Sequence, residues 1–467
     1  MKQVWPRIQT AENLAPRYLL VTVMASWALL TARGAPTEIQ DFAAAGAGIV
    51  QKLGAGDFGS VAARFDSWMA KALPEEKLAE QWKELAVLAG PLIAVKKTAI
   101  TEEAGGYRCV AMTVAFQNAP DDDVLVVFDQ TGRIAGLYFG PQPTEEPKEW
   151  NAPDYVDRNH FHEVPLTVQR GPWHLPATLT VPNSSGPLPA VLLVPGSPPV
   201  DQDETVGPNK VFKDLAWGLA SRGIVVLRYT KRTHQFGAGL GGGQVSSFNR
   251  REELDDDALA ALALLAGRPE VSRKQLYLLG HSLGGVTVTK IASGKGDPQI
   301  AGIAIFGTPA GDLLTVLLKR VEDSVQAGGP GSQQMAAMIP VFKKLRDGGF
   351  EPGEIVELFG ERNPAGYWLD MRGYAAGKAA AQLKIPVLVA VGGHDAEVSP
   401  DDWEQWKNAV AGKTNATVKS YPGLFHLFMP STATGKGDLP EDWSRPAHVA
   451  RDVVTDTASW IVAQGKP

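Results

Sequence analysis

The sequence predicts an α/β protein: a mostly parallel sheet with helices on both faces and a helical cap insertion, preceded by a small α+β domain. Three observations carry this. From about residue 164 to the end at 467, short and nearly continuous apolar runs alternate with helical stretches, the pattern of strands buried on both faces. Within that alternation, the interval from about 310 to 384 is too long for one crossover and reads mainly as helix, so it is an insertion. Ahead of it, residues 36–140 run first as helices and then as strands separated by tight turns, the order of a separate unit.

Residues 1–35 read as a leader. Lys2, Arg7 and Arg17 precede an apolar run from Tyr18 to Leu30, and the small residues Thr31, Ala32, Gly34 and Ala35 follow. The run is shorter than the roughly 20 residues that a membrane span needs and has the length of a signal-peptide core. The expectation is an exported chain, periplasmic or secreted, with no integral membrane span once mature; the alternative is a cytoplasmic protein with an irregular leader. In the α+β unit, Phe42–Leu53, Asp57–Leu73 and Pro74–Leu88 read as helices, the last with Glu75 and Glu76 where the helix dipole favours acids. Tyr107–Phe116, Val124–Phe128 and Ile134–Phe139 read as strands joined by Asn/Asp/Gly turns. Residues 141–163, proline-rich at their start, read as a linker.

The second unit opens with a hairpin, Val164–Val168 and Leu175–Val181 around Arg170-Gly171. Six further strands are expected at Ala190–Val194, Ile224–Arg228, Gln275–Leu279, Ile300–Phe306, Val387–Val391 and Thr417–Tyr421. Between them, a helix from Lys210 to Ala220 ends at Gly223. Another opens on the capping-box pattern Asn249-Arg-Arg-Glu252 and carries the stripe Leu254, Ala258, Ala261, Leu262 and Leu265. Leu313, Leu314, Leu317, Met335, Met338 and Ile339 are the apolar residues with which the cap would roof a site or fill its own core.

Composition narrows the function. Hydrophobic residues at 44% and charged residues at 21% exclude wholesale disorder and a polytopic membrane protein. A net charge of −6 without any Lys/Arg-rich run gives no nucleic-acid footprint. The single cysteine, Cys109, rules out a disulfide framework and a Cys-based zinc site. No metal and no cofactor is implied.

The chemistry lies in Gly280-His281-Ser282-Leu283-Gly284, a G-x-S-x-G pattern between the strand ending at Leu279 and the helical Val286-Thr-Val-Thr-Lys-Ile-Ala. That setting is a nucleophile elbow: the glycines let strand and helix close around a strained serine at a helix N-terminus. A nucleophilic serine needs a base, and the base needs an orienting acid, in the chain order Ser, Asp/Glu, His. Asp395 stands just past the strand Val387–Val391, and His426 stands in the loop after the last strand. Of the eight histidines, His394, His426 and His448 lie downstream of Ser282; His394 adjoins the acid and His448 sits in a helical stretch, so His426 is the base. Glu397 is the alternative acid. The oxyanion donors are the backbone N–H groups of Leu283 and of Ser197, in the loop after the third strand.

On these residues the second unit resembles a serine α/β-hydrolase, and within that superfamily the bacterial carboxylesterases that carry a small N-terminal module. Their oxyanion loop has the form His-Gly-Ser-Gly-Pro-x-Asp-Arg-Asp-Glu-Thr. Here it stands as Pro195-Gly-Ser-Pro-Pro-Val-Asp201-Gln-Asp203-Glu204-Thr205. Gly207-Pro-Asn-Lys-Val-Phe-Lys-Asp-Leu-Ala and Leu219-Ala-Ser-Arg-Gly-Ile-Val-Val-Leu-Arg-Tyr are similar to theirs too. Pro195, Pro198, Gln202 and Thr230 depart from the usual His, Gly, Arg and Asp, and the two prolines stiffen the loop. The resemblance implies hydrolysis of a small-molecule acyl ester through an acyl-enzyme; a peptidase or thioesterase on the same triad and a non-catalytic binding protein are the alternatives.

Other patterns have simpler readings. Gly237-Ala-Gly-Leu-Gly-Gly242 matches G-x-G-x-x-G but opens no helix, so it reads as a loop rather than a dinucleotide site. His160 and His162 read as a solvated pair, Asp255-Asp-Asp257 as an exposed helix face, His281 as packing, and Trp403 with Trp406 as helix core.

Overall fold

The computed structural model describes residues 41–465 apart from short stretches, of which 103–107, 118–121, 141–149 and 237–248 are the longest. The leader expected over 1–35, the first part of the expected linker and the Gly237–Gly242 pattern lie outside the described residues. No helix among the described residues is long and apolar enough to cross a membrane.

Among the described residues the first unit has four helices, α1 (Phe42–Gly54), α2 (Phe58–Ala62), α3 (Met69–Ala72) and α4 (Glu75–Ala89). Four antiparallel strands follow in spatial order: β1 (Leu92–Glu102), β2 (Arg108–Phe116), β3 (Asp122–Phe128) and β4 (Ile134–Gly140). Asp41 and Asp57 start α1 and α2 by accepting the N–H groups of Ala44 and Ser60. Ile49, Val50 and Leu53 of α1 share a core with Val110, Met112 and Val114 of β2. Two expectations need correction. The single helix over Asp57–Leu73 is broken, because Arg64 O accepts from Ile134 and Asp66 N–H donates to Ile134 O, which ties the chain to β4 instead. The edge strand β1 was not expected, since Lys96, Lys97 and Thr98 interrupt its apolar pattern and Ile93 is exposed.

The second unit is built on an eight-stranded sheet. Its strands are β5 (Phe161–Arg170), β6 (Trp173–Pro182), β7 (Leu188–Val194), β10 (Val225–Tyr229), β11 (Val271–His281), β12 (Gly302–Phe306), β15 (Val387–Gly392) and β16 (Ala416–Tyr421); the short pair β8 (Thr205–Val206) and β9 (Asn209–Lys210) lies apart. The spatial order is β16-β15-β12-β11-β7-β10-β6-β5, parallel from β16 to β10 and antiparallel across β10, β6 and β5. Alternation along β7 sends Ala190, Leu192 and Val194 to one core and Val191 and Leu193 to the other. The first core is covered by α7 (Asp257–Ala266) and α8 (Leu283–Ser293), the second by α5 (Val211–Ala220) and α15 (Arg451–Gln464). The remaining short helices here are α6 (Arg232–Phe236), α13 (Pro400–Ala409) and α14 (Pro440–Ser444).

The expected linker over 141–163 is not all connecting chain. Trp150 packs edge-on to Trp217, the Tyr155 hydroxyl donates to Val449 O, and β5 already begins at Phe161. The insertion comprises α9 (Leu313–Ala327), α10 (Ser332–Asp347), α11 (Ala365–Leu369) and α12 (Ala376–Gln382), with a β-hairpin of β13 (Ile355–Leu358) and β14 (Glu361–Pro364) that the helical reading missed. Leu314, Leu318, Phe342 and Leu345 are buried in the core on the α7/α8 face, while Leu313, Leu317, Met335, Met338 and Ile339 are only partly buried against it.

A further correction concerns Asp255, Asp256 and Asp257, which are not a solvated face. They lie at a π-helical turn (Arg251–Asp256) that leads into α7, where Asp257 is fully buried against Arg232 and Asp255 pairs with Arg250. Asn249 does cap the turn, accepting from Glu252 N–H at 3.0 Å.

Candidate active site

The parallel strands end together at one sheet edge, and the expected site residues follow them. Ser282, directly after β11, has φ +53° and ψ −121°, a left-handed-side conformation that a non-glycine residue adopts only where its surroundings enforce it. Those surroundings are specific. Ser282 N–H donates to Phe306 O at 2.8 Å, and Ser282 O accepts from Gly285 N–H and from the Thr308 hydroxyl, the latter at 2.8 Å. A Cβ at Gly284 would overlap the Val194 carbonyl, so only glycine lets α8 start this close to β7. Thr308, which the sequence did not single out, stands beside Ser282 because it follows β12 while its partner follows the neighbouring β11, and nothing local marks it.

Asp395 and His426 meet across the ends of β15 and β16. His426 Nδ1 lies 3.0 Å from both carboxylate oxygens of Asp395, and both residues are buried. Asp395 Oδ1 also accepts the N–H groups of Glu397 and Val398, which fixes the carboxylate. Burial of the imidazole opposes its protonation. The Asp395 charge and hydrogen bond, with the Glu397 charge behind them, outweigh burial and hold His426 above the ordinary imidazole value. A Cβ at Gly307, just past β12, would lie 3.2 Å from Asp395 Oδ2 and from His426 Nδ1. Since Gly307 follows Phe306, the acceptor of Ser282 N–H, the serine and the His–Asp pair flank the same strand end.

The loop after β7 explains its own motif residue by residue. Asp201 builds a turn by accepting from Asp203 and Thr205 N–H and from the Thr205 hydroxyl. Asp203 pairs with Arg228 at 2.8 Å, and Gln202 accepts from the Thr178 hydroxyl. Glu204, at φ +49°, turns its carboxylate back to accept Gly196 N–H at 2.8 Å. The Gly196 carbonyl accepts from Lys231 Nζ at 3.0 Å, and Lys231 is itself paired with the buried Glu253. Gly196 O and Ser197 N–H belong to one planar peptide unit and point in opposite directions, so Lys231 fixes the aim of the Ser197 N–H. Leu283 opens α8, and its N–H is among those that a helix leaves without an internal partner.

The other candidates have different surroundings. Glu397 pairs with Arg320 of the insertion and stands next to the Asp395–His426 pair. His448 is bound to the buried Asp214. His394 Nδ1 is buried without a hydrogen-bond partner. His162 Nδ1 lies 2.8 Å from Asn183 Oδ1, and His160 lies 3.4 Å from Asp157. Trp406 is core, its indole donating to Thr308 O. His281 is more than packing: its Nε2 lies 3.0 Å from His426 O.

The alpha/beta hydrolase family matches residues 191–455, more than half of the chain. The chain belongs to that family. Residues 47–137 of this hydrolase match a second family, described as a protein of unknown function (DUF3887), which falls on the α+β unit. Among curated proteins the hydrolase is similar to esterase EstD of Thermotoga maritima, 34% identical over 358 residues, covering 76% of this chain and 80% of the relative. Among solved structures it is similar to Est1E from Butyrivibrio proteoclasticus, with TM-score 0.42 and 16% identity, covering 64% of this chain and 98% of that one. The esterase domain of a Rhodothermus marinus protein gives TM-score 0.39 and 16% identity, with 64% and 97% covered.

Proposed function

We propose that this hydrolase cleaves carboxylic esters through an acyl-enzyme, with Ser282 as nucleophile, His426 as base and Asp395 as orienting acid. The observation that carries the reading is a serine held at φ +53° beside a buried His–Asp pair whose Nδ1 faces the carboxylate. That pairing leaves His426 Nε2 for the serine hydroxyl. Ser282 Oγ attacks the ester carbonyl carbon while Nε2 takes its proton; the oxyanion is met by the N–H groups of Leu283 and Ser197. The tetrahedral species collapses, the C–O bond to the alcohol breaks, and His426 returns the proton to the leaving oxygen. Water then repeats the sequence and frees the acid. The similarity to a curated esterase over most of both chains supports an ester as the substrate.

The test is a panel of p-nitrophenyl esters of graded acyl length beside a peptide and an acyl-thioester. Turnover of the esters with kcat/KM well above both others is expected. A preference for the peptide or the thioester reassigns the leaving group, and no turnover of any substrate points to a binding protein.

A pH profile follows from the His426 shift. The free enzyme reacts only with neutral His426, and its pKa is raised, so kcat/KM falls on acidification through a point above the ordinary imidazole value of about 6.5. Glu397 raises that pKa and Arg320 lowers it, so Glu397→Gln moves the acid limb to lower pH. A limb that stays put or moves upward contradicts this electrostatic account.

A further inference from the structure

We infer that Glu204 and His281 act as a positioning pair that ties the oxyanion loop to the loop of the base. Neither is assigned a role in the reaction above, and the inference rests on that reading of the site. Both side chains are buried, Glu204 at 2% and His281 at 3% exposure. Glu204 Oε1 accepts Gly196 N–H, one residue before Ser197. Its Oε2 lies 3.1 Å from His281 Nδ1, an ion-pair contact between two buried atoms that have no hydrogen-bond partner. At the far side of the ring, His281 Nε2 lies 3.0 Å from the backbone carbonyl of His426.

Hydrogen-bond bookkeeping decides what this chain of contacts is. A carbonyl only accepts, so Nε2 carries a proton and donates to His426 O. On the other side of the ring Nδ1 faces the Glu204 carboxylate at ion-pair distance, both atoms buried, so this contact is electrostatic and holds the ring edge against the oxyanion loop. The result is one continuous line: Gly196 N–H, Glu204, His281, His426 O. It is reinforced by packing, since a Cβ at Gly196 would sit 2.8 Å from Ser282 Cβ, and the rings of His281 and His426 are 4.7 Å apart.

The line joins the two parts that must move least during the reaction, the peptide that presents Ser197 N–H and the backbone that carries the base. Both side chains are buried, so loss of the line misplaces groups that work in the transition state and leaves substrate binding largely intact. The backbone strain at Glu204 fits this role. A residue at φ +49° is kept where its carboxylate has two fixed jobs.

The test combines kinetics and NMR on the full chain. Glu204→Gln keeps both contacts, because the amide oxygen accepts Gly196 N–H and the amide N–H donates to a neutral His281 Nδ1. Its kcat on p-nitrophenyl acetate is expected within about threefold of the parent, whereas Glu204→Ala loses about 10²-fold in kcat with KM within about threefold. A folded Glu204→Ala protein with parental kcat, a loss expressed in KM alone, or a Gln variant as slow as the Ala variant overturns the inference. Should Glu204→Ala not fold, histidine side-chain ¹⁵N spectra of the unmutated protein decide at about pH 8, where an ordinary imidazole is neutral. His281 with a protonated Nε2 is expected, as its contact to the His426 carbonyl requires; an unprotonated Nε2 overturns the inference. Failure of the ester-hydrolase reading is seen separately, as an unmutated protein that turns over no ester, and it leaves the NMR result readable.

Discussion

Ser282→Ala is expected to reduce ester hydrolysis by about 10⁵–10⁶-fold, the loss typical when a triad nucleophile is removed. Alanine supplies no oxygen to attack the carbonyl, and the residual rate comes from substrate binding and the oxyanion donors alone. His426→Ala is expected to fall nearly as far, because without the base the hydroxyl is a poor nucleophile at neutral pH. Serine and histidine act as one unit, so Ser282→Ala/His426→Ala should be little worse than either single change. Steady-state kinetics on a p-nitrophenyl ester, with the folded fraction checked by circular dichroism, makes the comparison. A His426→Ala enzyme with near-parental turnover would require another base. The structure makes that substitution difficult: His448 is held by Asp214, and His394 Nδ1 is buried with no hydrogen-bond partner.

Asp395→Asn is expected to lower kcat by about 10⁴-fold while the protein stays folded. The asparagine oxygen can still accept the N–H groups of Glu397 and Val398, so the acid loop keeps its shape. The amide nitrogen, however, donates. It cannot receive the Nδ1 proton, so it favours the wrong tautomer of His426 and gives no charge to stabilise the imidazolium. The raised pKa of His426, which depends chiefly on Asp395 to overcome burial, should collapse with it. A fully active Asp395→Asn enzyme would redirect attention to Glu397, although its carboxylate is already paired with Arg320.

The parts of this site that could be read from sequence are those whose signal is local. Gly280 to Gly284 announces a tight strand–turn–helix because each glycine fills a spatial need within a few residues, and Val387–Val391 announces a buried strand because every residue in it is apolar. Asp395 and His426 were legible from their positions just past such strands. The rest depends on partners distant in sequence. Thr308 acts on Ser282 across adjacent strands. Asp257 looks like a surface acid until Arg232, which buries it, is seen. Glu204 and His281 belong to two separately recognisable motifs, yet nothing in either predicts that they meet at 3.1 Å. The strand β1 escaped for the opposite reason: at a sheet edge, Lys96 and Lys97 stand in the middle of its run and its pairing with β2 is irregular, so the alternation that marks a strand is blurred.

The central claim is that Ser282 is an activated nucleophile, and covalent labelling tests it most directly. The protein is incubated with a small p-nitrophenyl alkylphosphonate, and the released p-nitrophenolate, the intact mass and the modified peptide are measured. The serine oxygen should form a bond to phosphorus as p-nitrophenolate leaves, giving one adduct per chain, located on Ser282, with ester hydrolysis lost in proportion. Ser282→Ala should take up none. A protein that hydrolyses esters while carrying no adduct, or carrying it on another residue, would contradict the account.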